Sequence, residues 1–194
     1  MPGTALCHLD SLARRPAVGG SAGHGARGFT MIELIVVMLM MSILSVAAIP
    51  SLASLGTQKN SAAARQVIRD LTYARERAMA TNAKSWFVVS VSGGSYSVLA
   101  ESNTSPGRAG ATTINDPATG GLFVVRPGMG TFTGVAITAC AFGGGSEVGF
   151  DRLGRPLLTS GALLTTTGTI TVTGGHIASL SAQTGRATYV AGAN

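Results

Sequence analysis

From Phe29 to Gln58 the chain reads FTMIELIVVMLMMSILSVAAIPSLASLGTQ, and Glu33 is the one charged residue in it. No other feature limits the fold as strongly. As an α-helix, the stretch from Phe29 to about Leu55 is about 40 Å long at ~1.5 Å per residue, enough to cross a hydrocarbon core of about 30 Å. Leu, Ile, Val and Met fall on every face, so this is not the one-sided helix of a soluble core. Pro50, near the far end, is expected to kink the helix rather than prevent it. Glu33 is the anomaly. A carboxylate at membrane depth costs about 2.5–3.5 kcal/mol on insertion scales, so it reads as a functional group awaiting a partner.

The flanks set an orientation. Residues 1–28, MPGTALCHLDSLARRPAVGGSAGHGARG, contain no apolar run long enough for a secretory signal, and they carry Arg14, Arg15 and Arg27 against Asp10. A positive segment ahead of a membrane span stays on the cytoplasmic side. The next charge is Lys59, where the pattern changes. Ala64, Val67, Ile68, Leu71, Ala74 and Ala78 recur at steps of three and four, with Arg65, Arg69, Asp70, Arg75, Glu76 and Arg77 on the other faces. That is an amphipathic helix with a solvated charged side. Only Gly56 interrupts, so one long helix is predicted from Phe29 to about Asn82.

Strand signals follow. Trp86–Val91 and Tyr96–Ala100 flank Gly93-Gly94, a hairpin pattern. Further strands are predicted at Leu122–Arg126, Gly134–Phe142, Val148–Asp151, Thr169–Thr173, Ile177–Ala182 and Arg186–Val190, with Gly174-Gly175 and Thr184-Gly185 as turns. Residues 102–120, SNTSPGRAGATTINDPATG, read as a flexible polar loop. Alternating βαβ units are missing. The expected fold class is α+β: a long N-terminal helix, transmembrane in its first half, packed on a single antiparallel β domain. The parts are a hydrophilic leader over 1–28, a transmembrane half over 29–55, an amphipathic half over 56–84 and the β domain over 85–194.

Only 11% of the residues are charged and the net charge is +6. The basic residues are scattered singly, so a mildly basic surface is read rather than a nucleic-acid patch. Cys7 and Cys140 lack further ligands at zinc spacing, and Cys140 sits in strand-like GVAITACAF as an inert thiol. No two carboxylates beyond Lys59 form a close pair. His176, beside a Gly-Gly turn, reads as a surface or turn histidine rather than a general base. No serine occupies a G-x-S-x-G elbow, and GGGS at 143–146 and PGMG at 127–130 lack phosphate-loop spacing. No catalytic residue, metal site or cofactor is predicted, and the chain is not expected to be an enzyme.

The junction Gly28-Phe29-Thr30-Met31-Ile32-Glu33, after a basic leader and opening a membrane helix with Pro50, resembles the class III signal of type IV pilins and type II secretion pseudopilins. The resemblance implies a pilin-like fold. It also implies cleavage between Gly28 and Phe29 by a prepilin peptidase, which then N-methylates Phe29, with Glu33 as the assembly residue. A physical reason stands beside it. Cleavage creates an ammonium at Phe29, and a neighbouring subunit's carboxylate can pair with it, converting two isolated costs into one contact. Such a head-to-tail contact does not close, so it builds a filament.

Downstream, FDRLGRP at 150–156 and TGRATYV at 184–190 resemble the minor pseudopilin family that includes GspH and FimT. This implies a structural subunit of the type II secretion pseudopilus, held in the inner membrane with its C-terminal domain in the periplasm. Its implied partners are the prepilin peptidase/methyltransferase, other major and minor pseudopilins and the inner-membrane assembly platform. The alternative is a FimT-like type IV pilus minor pilin, active in DNA uptake or pilus assembly, with Arg186, Arg152 and Arg155 as candidate contacts to nucleic acid. FimT-type binding is associated with Gly-Arg-x-Arg, whereas this chain reads Gly185-Arg186-Ala187-Thr188. From Lys59 onward eleven basic side chains face six acidic ones, enough for weak phosphate attraction.

Overall fold

The computed structural model describes residues 28–192, with side chains for all of them except residues 46–55. The leader over 1–28, Gly28 apart, lies outside the described residues, and α1 runs on through Pro50. One helix, α1, runs Met31–Thr81, against the predicted 29–82. The chain divides into two compact units, Met1–Ser45 and Val46–Asn194.

In the first unit, α1 offers apolar side chains on every face. Besides Glu33, Ser42 and Ser45 are the polar exceptions among its described side chains. Ser42 Oγ donates to the Met38 carbonyl at 2.5 Å and Ser45 Oγ to Met41 at 2.7 Å, so both hydroxyls are satisfied by their own helix. Among the described residues no helix is long and apolar enough to cross a membrane. The far part of the span expected over 29–55 falls among residues 46–55, whose side chains lie outside the description.

In the second unit, Ala63, Ala64, Val67, Leu71, Ala74 and Ala78 are buried as one stripe, the spacing of three and four read from the sequence. Its many alanines let the backbone lie close to a β-sheet. That sheet begins with the hairpin β1 (Ser85–Ser90) and β2 (Ser95–Ala100), paired Ser85↔Ala100 through Ser90↔Ser95. Gly94 turns the corner at a φ of 56°, a conformation glycine adopts without strain. Next come β3 (Thr112–Thr113), β4 (Val124–Val125), β5 (Ile137–Ala141), β6 (Glu147–Phe150) and β7 (Pro156–Leu157). The last three are β8 (Gly168–Val172), β9 (His176–Leu180) and β10 (Ala187–Val190).

The single antiparallel domain predicted from the sequence is built as two antiparallel sheets. One has the order β3-β2-β1-β6-β7, with β4 also on β2; the other is β10-β9-β8-β5. Phe87, Val89, Tyr96, Val98, Val148 and Phe150 of the first meet Ile137, Ile170, Ala178 and Leu180 of the second around Val67, Leu71, Ala74 and Ala78 of α1. One core therefore joins both sheets and the helix.

Three expectations need correction. Residues 102–120 are not a structureless loop: they contain β3 and a bridge from Asn115 to Leu122, and polar ties hold them down. Gly134 to Ala136 do not belong to a strand, since Gly134 lies at a φ of 92° and β5 starts at Ile137. The edge strand β7 was not predicted, because it is short and opens on Pro156, which suits only an edge or a strand's first residue.

Candidate functional site

At the N-terminal junction Gly28, Phe29 and Thr30 precede the helix and are exposed. A Cβ added at Gly28 would meet nothing within 4 Å. Packing among the described residues therefore does not require glycine there.

Thr30 caps the helix. Its Oγ1 accepts from the Glu33 N–H at 3.3 Å, while its carbonyl receives Glu33 N at 3.1 Å and Leu34 N at 3.2 Å. Thr30-Met31-Ile32-Glu33 is thus a T-x-x-E capping box, a signal legible in the sequence that the strand-and-helix reading passed over. Only half the box is formed. The Glu33 side chain has no hydrogen-bond partner among the described residues and is exposed on the first helical turn, where the unpaired N–H groups and the dipole favour negative charge. Around it Phe29 is 76% and Met31 84% exposed. The junction combines an exposed Gly28–Phe29 peptide bond, a defined helix start and, one turn in, a carboxylate without a hydrogen-bond partner among the described residues.

The three candidate arginines lie in the second unit, and the fold brings their turns together. Asp151 is buried and organises residues 151–155. Its Oδ1 accepts from Leu153 N at 2.9 Å and Arg155 N at 2.8 Å, and its Oδ2 takes Arg155 Nε at 2.8 Å. Burial pushes the Asp151 carboxyl up, and these donors together with the Arg155 charge more than offset it, leaving it below the usual carboxylate range. Arg75 of α1 donates from Nε to the Gly154 carbonyl at 3.0 Å. A Cβ at Gly185 would lie 2.3 Å from that same oxygen, so the 151–155 and 181–186 turns abut beside Arg75. Arg152 and Arg186 are exposed and lack an ion pair among the described residues, whereas Arg155 is committed to Asp151.

Other polar groups have structural roles. His176 is buried, not a surface or turn histidine as read from the sequence; only 5% of it is exposed. Its Nδ1 accepts the Gly192 N–H at 3.1 Å and lies 2.8 Å from the Tyr189 hydroxyl. The Gly-Gly turn beside it hid this, because the partners lie beyond it in the chain. Tyr96 donates from its hydroxyl to Asp70 at 2.5 Å, clipping α1 to β2. Burial raises the Asp70 carboxyl above its usual range, against the lowering effects of that bond and of Arg69. Burial pushes the Cys140 thiol up to about 12, which keeps it protonated and unreactive. Among the described residues no group of His, Cys, Asp and Glu is placed to hold a metal ion.

The family described as the prokaryotic N-terminal methylation motif matches residues 23–49, across the Gly28–Glu33 junction. Neither a curated protein nor a solved structure matches the chain. The motif supports a type IV pilin-like protein, pilin or pseudopilin, and implies processing by a prepilin peptidase and assembly with other pilin-like subunits.

Proposed function

We propose that this chain is a minor pseudopilin, a structural and non-enzymatic subunit of a type II secretion pseudopilus. The observation that carries the reading is the junction: a methylation motif over residues 23–49 around an exposed Gly28–Phe29 bond and a Glu33 side chain without a hydrogen-bond partner among the described residues. Hydrolysis of that bond leaves a carboxylate on Gly28 and an ammonium on Phe29. The ammonium then sits at the positive end of its own helix dipole, an unfavourable place that a carboxylate relieves. Glu33 of the next subunit supplies it. Methylation of the amine keeps its charge. The exposed apolar helix then enters a bundle of like helices in the inner membrane, and the β domain stays in the periplasm. The FDRLGRP and TGRATYV resemblance supports a minor subunit of the family that includes GspH and FimT, and it is common to the secretion and pilus branches.

Intact mass of the membrane-extracted protein tests this directly. The expected species begins at Phe29 and carries one added methyl group; a chain retaining residues 1–28 overturns the reading.

A second reading, a type IV pilus subunit that holds DNA, is favoured by one observation: the abutting turns set Arg152 and Arg186 on neighbouring exposed sites. A gel shift at rising salt separates the two readings. Tight, salt-sensitive binding lost on Arg186→Ala promotes the pilus reading, and no shift at low salt removes it.

A further inference from the structure

The outer face of the six-stranded sheet, turned away from α1, carries a second apolar row. Directly paired residues share a face, and the register runs Leu157↔Gly149↔Trp86↔Leu99↔Thr113. Trp86 is 1%, Leu157 5% and Leu99 8% exposed, yet none of them belongs to the main core. The indole lies flat over Gly149, where a Cβ would come within 2.6 Å of the ring.

The segment Ser102–Ala111, part of the stretch read from the sequence as a flexible loop, is tied down on both sides of this row. It leaves the sheet at Glu101, which pairs across to Lys84. Glu101 Oε1 accepts the Gly107 N–H at 2.6 Å, and Oε2 accepts the Lys84 N–H at 3.1 Å. It is tied back by Arg108, whose Nη2 reaches Glu147 Oε1 at 3.0 Å and whose Nε bonds Oε2. Glu147 pairs with Val88. The Lys84–Glu101 pair therefore lies to one side of the Trp86–Leu99 row and the Val88–Glu147 pair to the other, and the segment crosses between them.

No residue of Ser102–Ala111 packs into either hydrophobic cluster. The closure is polar at both ends. Beneath it the Trp86 Nε1–H is buried without an acceptor, a cost that closure imposes and opening relieves. We propose that Ser102–Ala111 is a hinged strap that lifts as a unit from the outer sheet face, uncovering Trp86 and Leu99 while the sheet stays folded. Arg108–Glu147 is its latch and Glu101 its hinge post.

Trp86 is the chain's only tryptophan, so under native conditions its emission reports this one site. In the full-length protein in detergent, Arg108→Ala is expected to shift the emission to the red and raise acrylamide quenching severalfold. Hydrogen exchange at Gly107 should speed up by about tenfold or more while Phe87 and Val89 amides hold steady, the pattern of local opening. Arg108→Glu combined with Glu147→Arg should restore both. Trp86 as shielded as in the wild type, or β1 amides accelerating along with the strap, overturns the proposal. Should the variants fail to fold, the unaltered protein decides. Gly107 exchange insensitive to low denaturant is expected, and exchange only with global unfolding overturns it.

Discussion

Two stretches of one helix face opposite demands. Between Met31 and Leu44 every large apolar side chain is 41–84% exposed. Between Ala63 and Ala78 the buried stripe is at 0–1%. The first stretch uses Leu, Ile, Val and Met, the second chiefly Ala with Val67 and Leu71. Large apolar groups on all faces cannot be satisfied by a single sheet on one side, so they require a surrounding of lipid or other helices. Small ones on a single stripe are satisfied by a close-packed sheet, at about 25 cal/mol per Å² buried. What the two stretches share is backbone; what separates them is where the partner comes from, outside the chain or within it.

The largest expected effect attacks the outside partner. Glu33→Ala should lower incorporation into filaments by about tenfold or more, since removing one member of a desolvated pair strands the other. Leader cleavage and domain folding should be unchanged. Immunoblotting of sheared and membrane fractions reads this, and wild-type incorporation would break the link between the exposed helix and an external carboxylate contact. Leu71→Ala comes next and attacks the inside partner. It should cost about 2–5 kcal/mol of domain stability, against less than about 0.5 kcal/mol for Leu39→Ala, both followed by denaturant unfolding at Trp86. Equal losses would mean that the two stretches do not differ in where they are satisfied.

How much of this was legible follows from the range of each interaction. The stripe from Ala64 to Ala78 and the hairpin about Gly93-Gly94 are local patterns, and both appear within a residue or two of the predicted places. The two-residue strands β3 and β7 are not local. They exist because Leu99 and Gly149 offer them partners, and no periodicity fits in two residues. The strap was missed for the same reason: a polar, glycine-punctuated stretch looks mobile until Glu147, far along the chain, meets Arg108. The candidate site divides likewise. Gly28, Phe29 and Glu33 form a contiguous motif, and Asp151–Arg155 is a local turn. The meeting of that turn with Gly185 beside Arg75 needed the tertiary fold.

Two polar clips sharpen the inside half further. Tyr96→Phe removes the donor to Asp70 and leaves a mostly buried carboxylate short of a partner, for a loss of about 1–3 kcal/mol. Asp70→Asn keeps an acceptor and removes the charge, so it should stabilise the domain at neutral pH. The sign follows from burial. The folded carboxyl is raised above its ordinary value of 3.8, so its contribution is fully present below that value and is lost as pH rises through the folded pKa. Glu101 and Asp151 work the other way. Burial pushes Glu101 up, but the Lys84 and Gly107 N–H groups and the Lys84 charge hold it below 4.5. Stability from both carboxylates is present above their unfolded values and falls away as pH drops through the lowered ones. The dependence of stability on acid pH should therefore steepen in Asp70→Asn, where the opposing contribution of the raised carboxyl is gone; an unchanged slope would discount Asp70.

The smallest effect is expected where the two stretches' logic begins, at Thr30. Thr30→Ala deletes the side-chain acceptor of the Glu33 N–H, which at a helix start costs about 0.5–2 kcal/mol of local helix stability. The cost should stay in the first turn. The domain around Trp86 has its own core, so its unfolding midpoint should not move, whereas amide exchange at Met31 to Glu33 should quicken in the detergent-solubilised protein. Incorporation should fall by less than in Glu33→Ala, because the carboxylate remains and only its placement loosens. If Thr30→Ala matched Glu33→Ala, the cap rather than the charge would be what the neighbouring subunit reads, and the pairing argument would have to be rebuilt around helix geometry.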